Sequence, residues 1–216
     1  MLTRRLKIAG TIAFLGTGIV YLAQYIATPI AGDLDGTAVL TKVAAHPTGM
    51  AWALALDVPV IIFATASLLF LGHLLKARTS ILGAIAFVLL FVPFVVSIPA
   101  VIGFDLLSSV ATEPRVLDAW QDSTFYNATV LSYLLTHIVG FVLAAVALFR
   151  GRTVPRWAAI ALAVWPIIET VSYGVGKPGV LIAYLILLAG YLGCALALNR
   201  SSRERNERPE TAYAAV

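Results

Sequence analysis

Asp57, His137 and Glu169 are two carboxylates and an imidazole that fall well inside long apolar runs of the sequence. Glu169, for example, is embedded in "WPIIETVSYG", residues 165–174. Such groups can bind a cation, exchange protons, or work as a general acid and base. Holding them in hydrocarbon is costly, about 2.5–3.5 kcal/mol for Asp at the centre of a spanning helix, so each marks a functional site unless something else accounts for it. The plainer account is a hydrogen-bonded carboxyl pair that locks helices together, with His137 as a packing residue.

Helical spacing adds neighbours to each group, because residues at i, i+3 and i+4 share a face. Trp165, Glu169, Ser172 and Tyr173 align in this way, as do Thr129, Tyr133, Thr136 and His137, with small Gly140 beyond them. Thr17, Tyr21, Gln24 and Thr28 form a third stripe, and Tyr184 lies on a fourth apolar segment. The site expected from these patterns is Asp57, His137 and Glu169 as ligand or proton sites, with Gln24, Tyr133, Thr136, Tyr173 and Tyr184 as orienting donors. Tyr21, Tyr133, Tyr184, Trp52 and Trp120 also suit an aromatic belt at the outer membrane surface.

The elements that must position these side chains follow from composition. The 216 residues are 60% hydrophobic and only 12% charged, against about 25% charged in an ordinary soluble domain. A single core could not bury that much apolar surface, and several runs reach the roughly 20 residues needed to cross a bilayer. The expected fold is all-α, a polytopic helical bundle of six membrane spans: 8–30, 50–75, 81–102, 129–149, 157–175 and 180–198. They make up one transmembrane domain, residues 1–199, followed by a polar, disordered tail, 200–216. The first run exceeds the usual secretion-signal core of about 7–15 residues, so it reads as a retained span.

Counting from these ends, Asp57 lies seven residues below the outer edge of its span, His137 eight and Glu169 six. That depth is about 9–12 Å for all three at 1.5 Å per residue. Pro59 and Pro166 each free a backbone carbonyl one turn earlier, adding acceptors near Asp57 and Glu169. The third span carries Ser97 as its lone polar side chain and suits a lipid-facing wall.

Charge sets the orientation. Arg4, Arg5, Lys7, Lys76, Arg78, Arg150, Arg152, Arg156, Arg200, Arg203, Arg205 and Arg208 collect on one side, against Lys42, Arg115 and Lys177 on the other. Cytoplasmic flanks carry the excess, which places both termini in the cytoplasm of a plasma-membrane protein. The external segments 31–49 and 103–128 hold Asp33, Asp35, Asp105, Glu113, Asp118 and Asp122. Within the second, "TEPRVLDAW" reads as a short helix with Thr112 as N-cap and Pro114 in its first turn.

The net charge of +4 follows from this topology and requires no nucleic-acid partner. Cys194 is the lone cysteine and reads as a packing residue. His46, His73 and His137 lie at different levels, against a bis-His haem. No phosphate loop, HExxH or other cofactor or metal pattern occurs, so no cofactor and no metal are expected. Ala189, Gly193 and Ala197 form a small-residue ridge suited to helix packing.

The loop "ALFRGRTVPRWAAIAL" and the six-span plan resemble an uncharacterised group of actinobacterial multi-pass membrane proteins. The resemblance implies fold and location and assigns no residue roles. The expected partners are therefore the lipid bilayer and a small-molecule or lipid ligand in an outward-facing polar pocket. Binding or proton-coupled transport of that solute is the first expectation. The alternatives are an intramembrane enzyme using its carboxylates on a lipid or isoprenoid, and a structural membrane subunit without chemistry.

Overall fold

In hydrocarbon every backbone polar group must be satisfied within the protein, which drives long apolar segments to be helical. The computed structural model describes residues 2–30, 35–76 and 79–206, and these form eight α-helices and no strand. They are α1 (Arg4–Ala27), α2 (Gly36–Ala45), α3 (Pro47–Lys76), α4 (Ser80–Val110), α5 (Pro114–Gln121), α6 (Thr124–Gly151), α7 (Arg156–Ser172) and α8 (Lys177–Asn206). Five of them, α1, α3, α4, α6 and α8, are long and apolar enough to cross a membrane. The fold is therefore all-α and of a membrane-protein kind. Asp33 and Arg78, and positions 207–216 of the expected tail, lie outside the described residues.

The helix ends differ from those expected, for local reasons. α4 continues two turns past Ile102 because Phe104 and Leu107 extend its apolar face into a second core cluster with Ile30, Val39, Met50 and Leu117. α6 begins a turn before Thr129, where the Ser123 hydroxyl accepts from the Tyr126 N–H at 3.2 Å. α7 stops at Ser172, ahead of Gly174 and Gly176, and Gly176 adopts φ 85°. α8 runs to Asn206.

Segment 31–49 contains a helix that the charge pattern did not anticipate. The Asp35 carboxylate caps α2 by accepting from the Ala38 N–H at 2.7 Å. Asp118 of α5 accepts from the first N–H of the same helix, on Gly36, at 3.0 Å. The short helix after Thr112 is present, but its N-cap is Glu113. Pro114 occupies the first helical position, and the residue before a proline is held extended, so the boundary falls one residue later than expected.

The six longest helices stand side by side in a closed ring, α1, α3, α4, α6, α7, α8 and back to α1, while α2 and α5 pack together across one end. Small residues set the closest approaches. A Cβ on Gly18 of α1 would lie 2.7 Å from the Leu188 side chain of α8, and one on Gly193 of α8 would collide with Ala158 of α7. Gly193 is thus a packing residue, as its ridge implies. The main core fills the ring with Phe14, Leu71, Phe141, Leu148, Leu162 and Leu187, among others. Ser97 of α4 is buried and donates back to the Phe94 carbonyl at 2.9 Å, leaving an apolar outer face of Ile81, Ile85, Val88, Val92 and Val96.

Candidate functional site

Helical spacing delivers the polar groups to the inside of the ring. On α7, Trp165 and Glu169 are one turn apart and both buried. On α6, His137 lies between Tyr133 and Phe141, its ring 4.6 Å and 4.9 Å from theirs, and Trp165 meets it edge-on at 4.7 Å. Asp57 is 5% exposed, Glu169 7% and His137 8%, all from different helices.

Two polar centres result. In the first, the Tyr184 hydroxyl of α8 donates to Glu169 Oε1 at 2.6 Å. His137 Nε2 stands 3.4 Å from Glu169 Oε2. That contact lacks hydrogen-bond geometry; it is longer than the 2.7–3.2 Å typical of such bonds, but close enough that a small shift would join the two groups. In the second centre, Gln24 of α1 donates through its side-chain amide to Asp57 Oδ1. Among the described residues no hydrogen bond or ion pair joins Asp57 to Glu169, so the carboxylates have separate partners.

Tyrosines stand between the centres. Tyr21 stacks on Tyr184 with centroids 4.9 Å apart, and Tyr25, one turn further along α1, lies 4.7 Å from the same ring. The Tyr25 and Tyr173 hydroxyls share a hydrogen bond of 2.8 Å, which ties α1 to the end of α7.

Of the eight expected residues, seven take part in these centres or the aromatic wall: Asp57, Gln24, His137, Glu169, Tyr133, Tyr173 and Tyr184. Thr136 is placed differently. Its hydroxyl donates back to the Ser132 carbonyl at 2.6 Å on its own helix. The sequence patterns passed over Tyr25 and Trp165 as site residues, although Tyr25 follows Gln24 directly and Trp165 is one turn from Glu169 on the same stripe.

Three buried polar atoms in this region have no hydrogen-bond partner: Asp57 Oδ2, His137 Nε2 and Trp165 Nε1. An unsatisfied buried donor or acceptor costs about 1–3 kcal/mol, so Asp57 in one centre, and His137 and Trp165 in the other, each carry a group able to take a further partner. Charge is unbalanced too. No Lys or Arg occurs in 8–27, 47–75, 80–110, 124–149, 157–172 or 178–199, whereas Asp57, Asp105 and Glu169 do.

Further out, a cavity of about 410 Å³ is lined by Thr28, Pro29, His46, Gly49 and Lys177, among others. Lys177 Nζ donates to the carbonyls of Ile26 at 2.7 Å and Thr28 at 3.0 Å, fastening the start of α8 to the end of α1. The cation sits where the α1 dipole is negative.

No family model, curated protein or solved structure matches the chain.

Proposed function

We propose that this chain is a plasma-membrane protein of six spanning helices, with both termini cytoplasmic, whose polar chamber binds or moves a small or lipidic solute with proton coupling through Glu169 and Asp57. Support for a sixth span comes from α7: its 17 residues extend about 25 Å, and it completes the ring between α6 and α8. The orientation is supported by the basic residues at the start of α1 and α7 and the end of α3 and α6, opposite the end covered by α2 and α5. Membership of the actinobacterial multi-pass group belongs to the same proposal.

The observation that carries the functional reading is the set of unpartnered atoms, Asp57 Oδ2, His137 Nε2 and Trp165 Nε1, around two carboxylates more than nine-tenths buried. Trp120 Nε1 and Gln121 Nε2 of α5 are unpartnered too, so what sets the inner atoms apart is their place beside two buried carboxylates. The outer cavity lies toward the same end of the bundle: Thr28 on its wall is one turn from Gln24, and Gly49 is two turns from Asp57 along α3.

Native mass spectrometry of the detergent-purified protein tests this, beside Asp57→Asn, His137→Ala and Glu169→Gln variants that keep the wild-type melting temperature. A co-purified adduct on the wild type that is lost from the variants is the expected result. Four identical, adduct-free spectra would count against a solute site and favour a structural role for the buried charges.

A further inference from the structure

The structure says something about the charge and chemical class of the occupant, an inference that rests on the solute-binding reading above. Asp57 and Glu169 are buried in a bundle whose helices carry no Lys or Arg over the segments given above. His137 is the basic group beside Glu169. An anion among these groups would face two carboxylates, while the fixed cation at the outer cavity, Lys177, is already engaged by the Ile26 and Thr28 carbonyls, and a buried charge without a partner is strongly disfavoured. A bound cation would supply the missing charge.

The surroundings select among cations. Calcium takes six to eight oxygens, and magnesium a near-octahedral set. Among the described residues no group of three or more His, Cys, Asp or Glu could hold a metal ion. What the site offers instead is aromatic surface. Tyr21, Tyr25 and Tyr184 stack between the centres, and Trp165 lies 6.3 Å from Tyr184. The faces of such rings attract organic cations through their quadrupoles.

Register brings the two features together. Gln24, which holds Asp57 Oδ1, is three residues from Tyr21 on α1, so the Asp57 carboxylate stands about one helical turn from that ring. Its other oxygen, Oδ2, is buried and unpartnered. We propose that the chamber takes an organic ammonium group, paired with Asp57 Oδ2 and the field of Glu169, against the faces of Tyr21, Tyr25 and Tyr184. The ring faces now cover one another, so entry exchanges ring–ring contacts for ring–cation contacts as α1 and α8 part.

The probe is tetramethylammonium chloride, titrated calorimetrically into the full chain in phosphatidylglycerol nanodiscs, with sodium chloride at equal ionic strength as control. Saturable heat with the ammonium salt alone is expected. Affinity falls at least tenfold in Asp57→Asn and Tyr21→Leu, while Tyr21→Phe, which keeps the ring, binds as the wild type does. Heat equal to that of sodium chloride, or an unchanged affinity in folded Asp57→Asn, overturns the proposal. If Asp57→Asn does not fold, the contrast between Tyr21→Leu and Tyr21→Phe decides.

Repeating the titration in phosphatidylcholine nanodiscs and in equally uncharged galactosyl diglyceride nanodiscs separates the sources at constant surface charge. Weaker apparent binding in phosphatidylcholine than in the glycolipid assigns the ammonium to a lipid headgroup, and equal binding in the two assigns it to a free solute. A neutral or anionic adduct in native mass spectrometry with no ammonium heat defeats the ammonium class and leaves the solute site standing. No adduct and no heat defeats both.

Discussion

Tyr184 shows how much depends on single hydroxyls in this bundle. Its O–H is the hydrogen-bond donor that Glu169 receives at 2.6 Å, and hydrogen bonds to charged groups contribute about 1.5–3 kcal/mol. Tyr184→Phe keeps the ring and its stacking on Tyr21 but removes that donor, so a loss of this size is expected in reversible unfolding of the detergent-solubilised protein. An unchanged stability would mean that water or a ligand replaces the hydroxyl. At this scale the sequence was informative about which polar residues lie inside the bundle and silent about how they pair. Helical spacing and the rarity of intramembrane charge picked out Asp57, Glu169, His137, Gln24 and Tyr184. That Asp57 pairs with Gln24, and Glu169 with Tyr184 in the neighbourhood of His137, depends on which helices are neighbours, which no stripe encodes. Thr136 shows what a stripe leaves out, since its hydroxyl donates to a carbonyl of its own helix. Tyr25 was passed over because the stripe through Tyr21, Gln24 and Thr28 was followed and the equally good i+4 step was not.

Among the elements, the pair α2 and α5 tests how a surface layer is held. The Asp118 side chain accepts from the first N–H of α2, a donor that has no partner within its own helix. Asp118→Ala is expected to weaken α2 by about 0.5–2 kcal/mol, as loss of a helix-capping side chain does. Hydrogen exchange of residues 36–45 should quicken while the spanning helices keep their protection; slowed or unchanged exchange would show that the Asp35 cap suffices. Long apolar helices were legible because a run of such residues has few other fates in a membrane. Their ends were less so. The second core cluster, in which Phe104 meets Leu117 and Val39, extends α4 beyond the acidic boundary at Asp105, and only tertiary packing explains it. α2 went unseen because its sequence, "GTAVLTKVAA", is short and mixed and is stabilised by caps from Asp35 and from another helix.

For the whole molecule, the topology can be read with one label. Cys194 is fully buried, so the wild type should resist a membrane-impermeant maleimide. Val116 on α5 is 41% exposed, and Val116→Cys in intact cells should label from outside if both termini are cytoplasmic. Labelling that requires permeabilised cells would invert the proposed orientation. Lys and Arg asymmetry is the sequence signal on which this orientation is proposed; the ring arrangement has no such signal, since composition does not say that the first and last spans meet.

That meeting has a consequence for how the chain assembles. Going round the ring, α1 with α3, α3 with α4, α4 with α6, α6 with α7, and α7 with α8 all join consecutive long helices. Such contacts close short loops and can form as each helix pair inserts. The α1–α8 seam joins segments separated by nearly the whole bundle, and its loop-closure entropy has to be met before its contacts compensate. It is therefore the boundary with the largest loop-closure cost. Tyr21 and Tyr25 sit on one side of that seam and Tyr184 on the other, so the chamber is finished only when that costliest joint has closed.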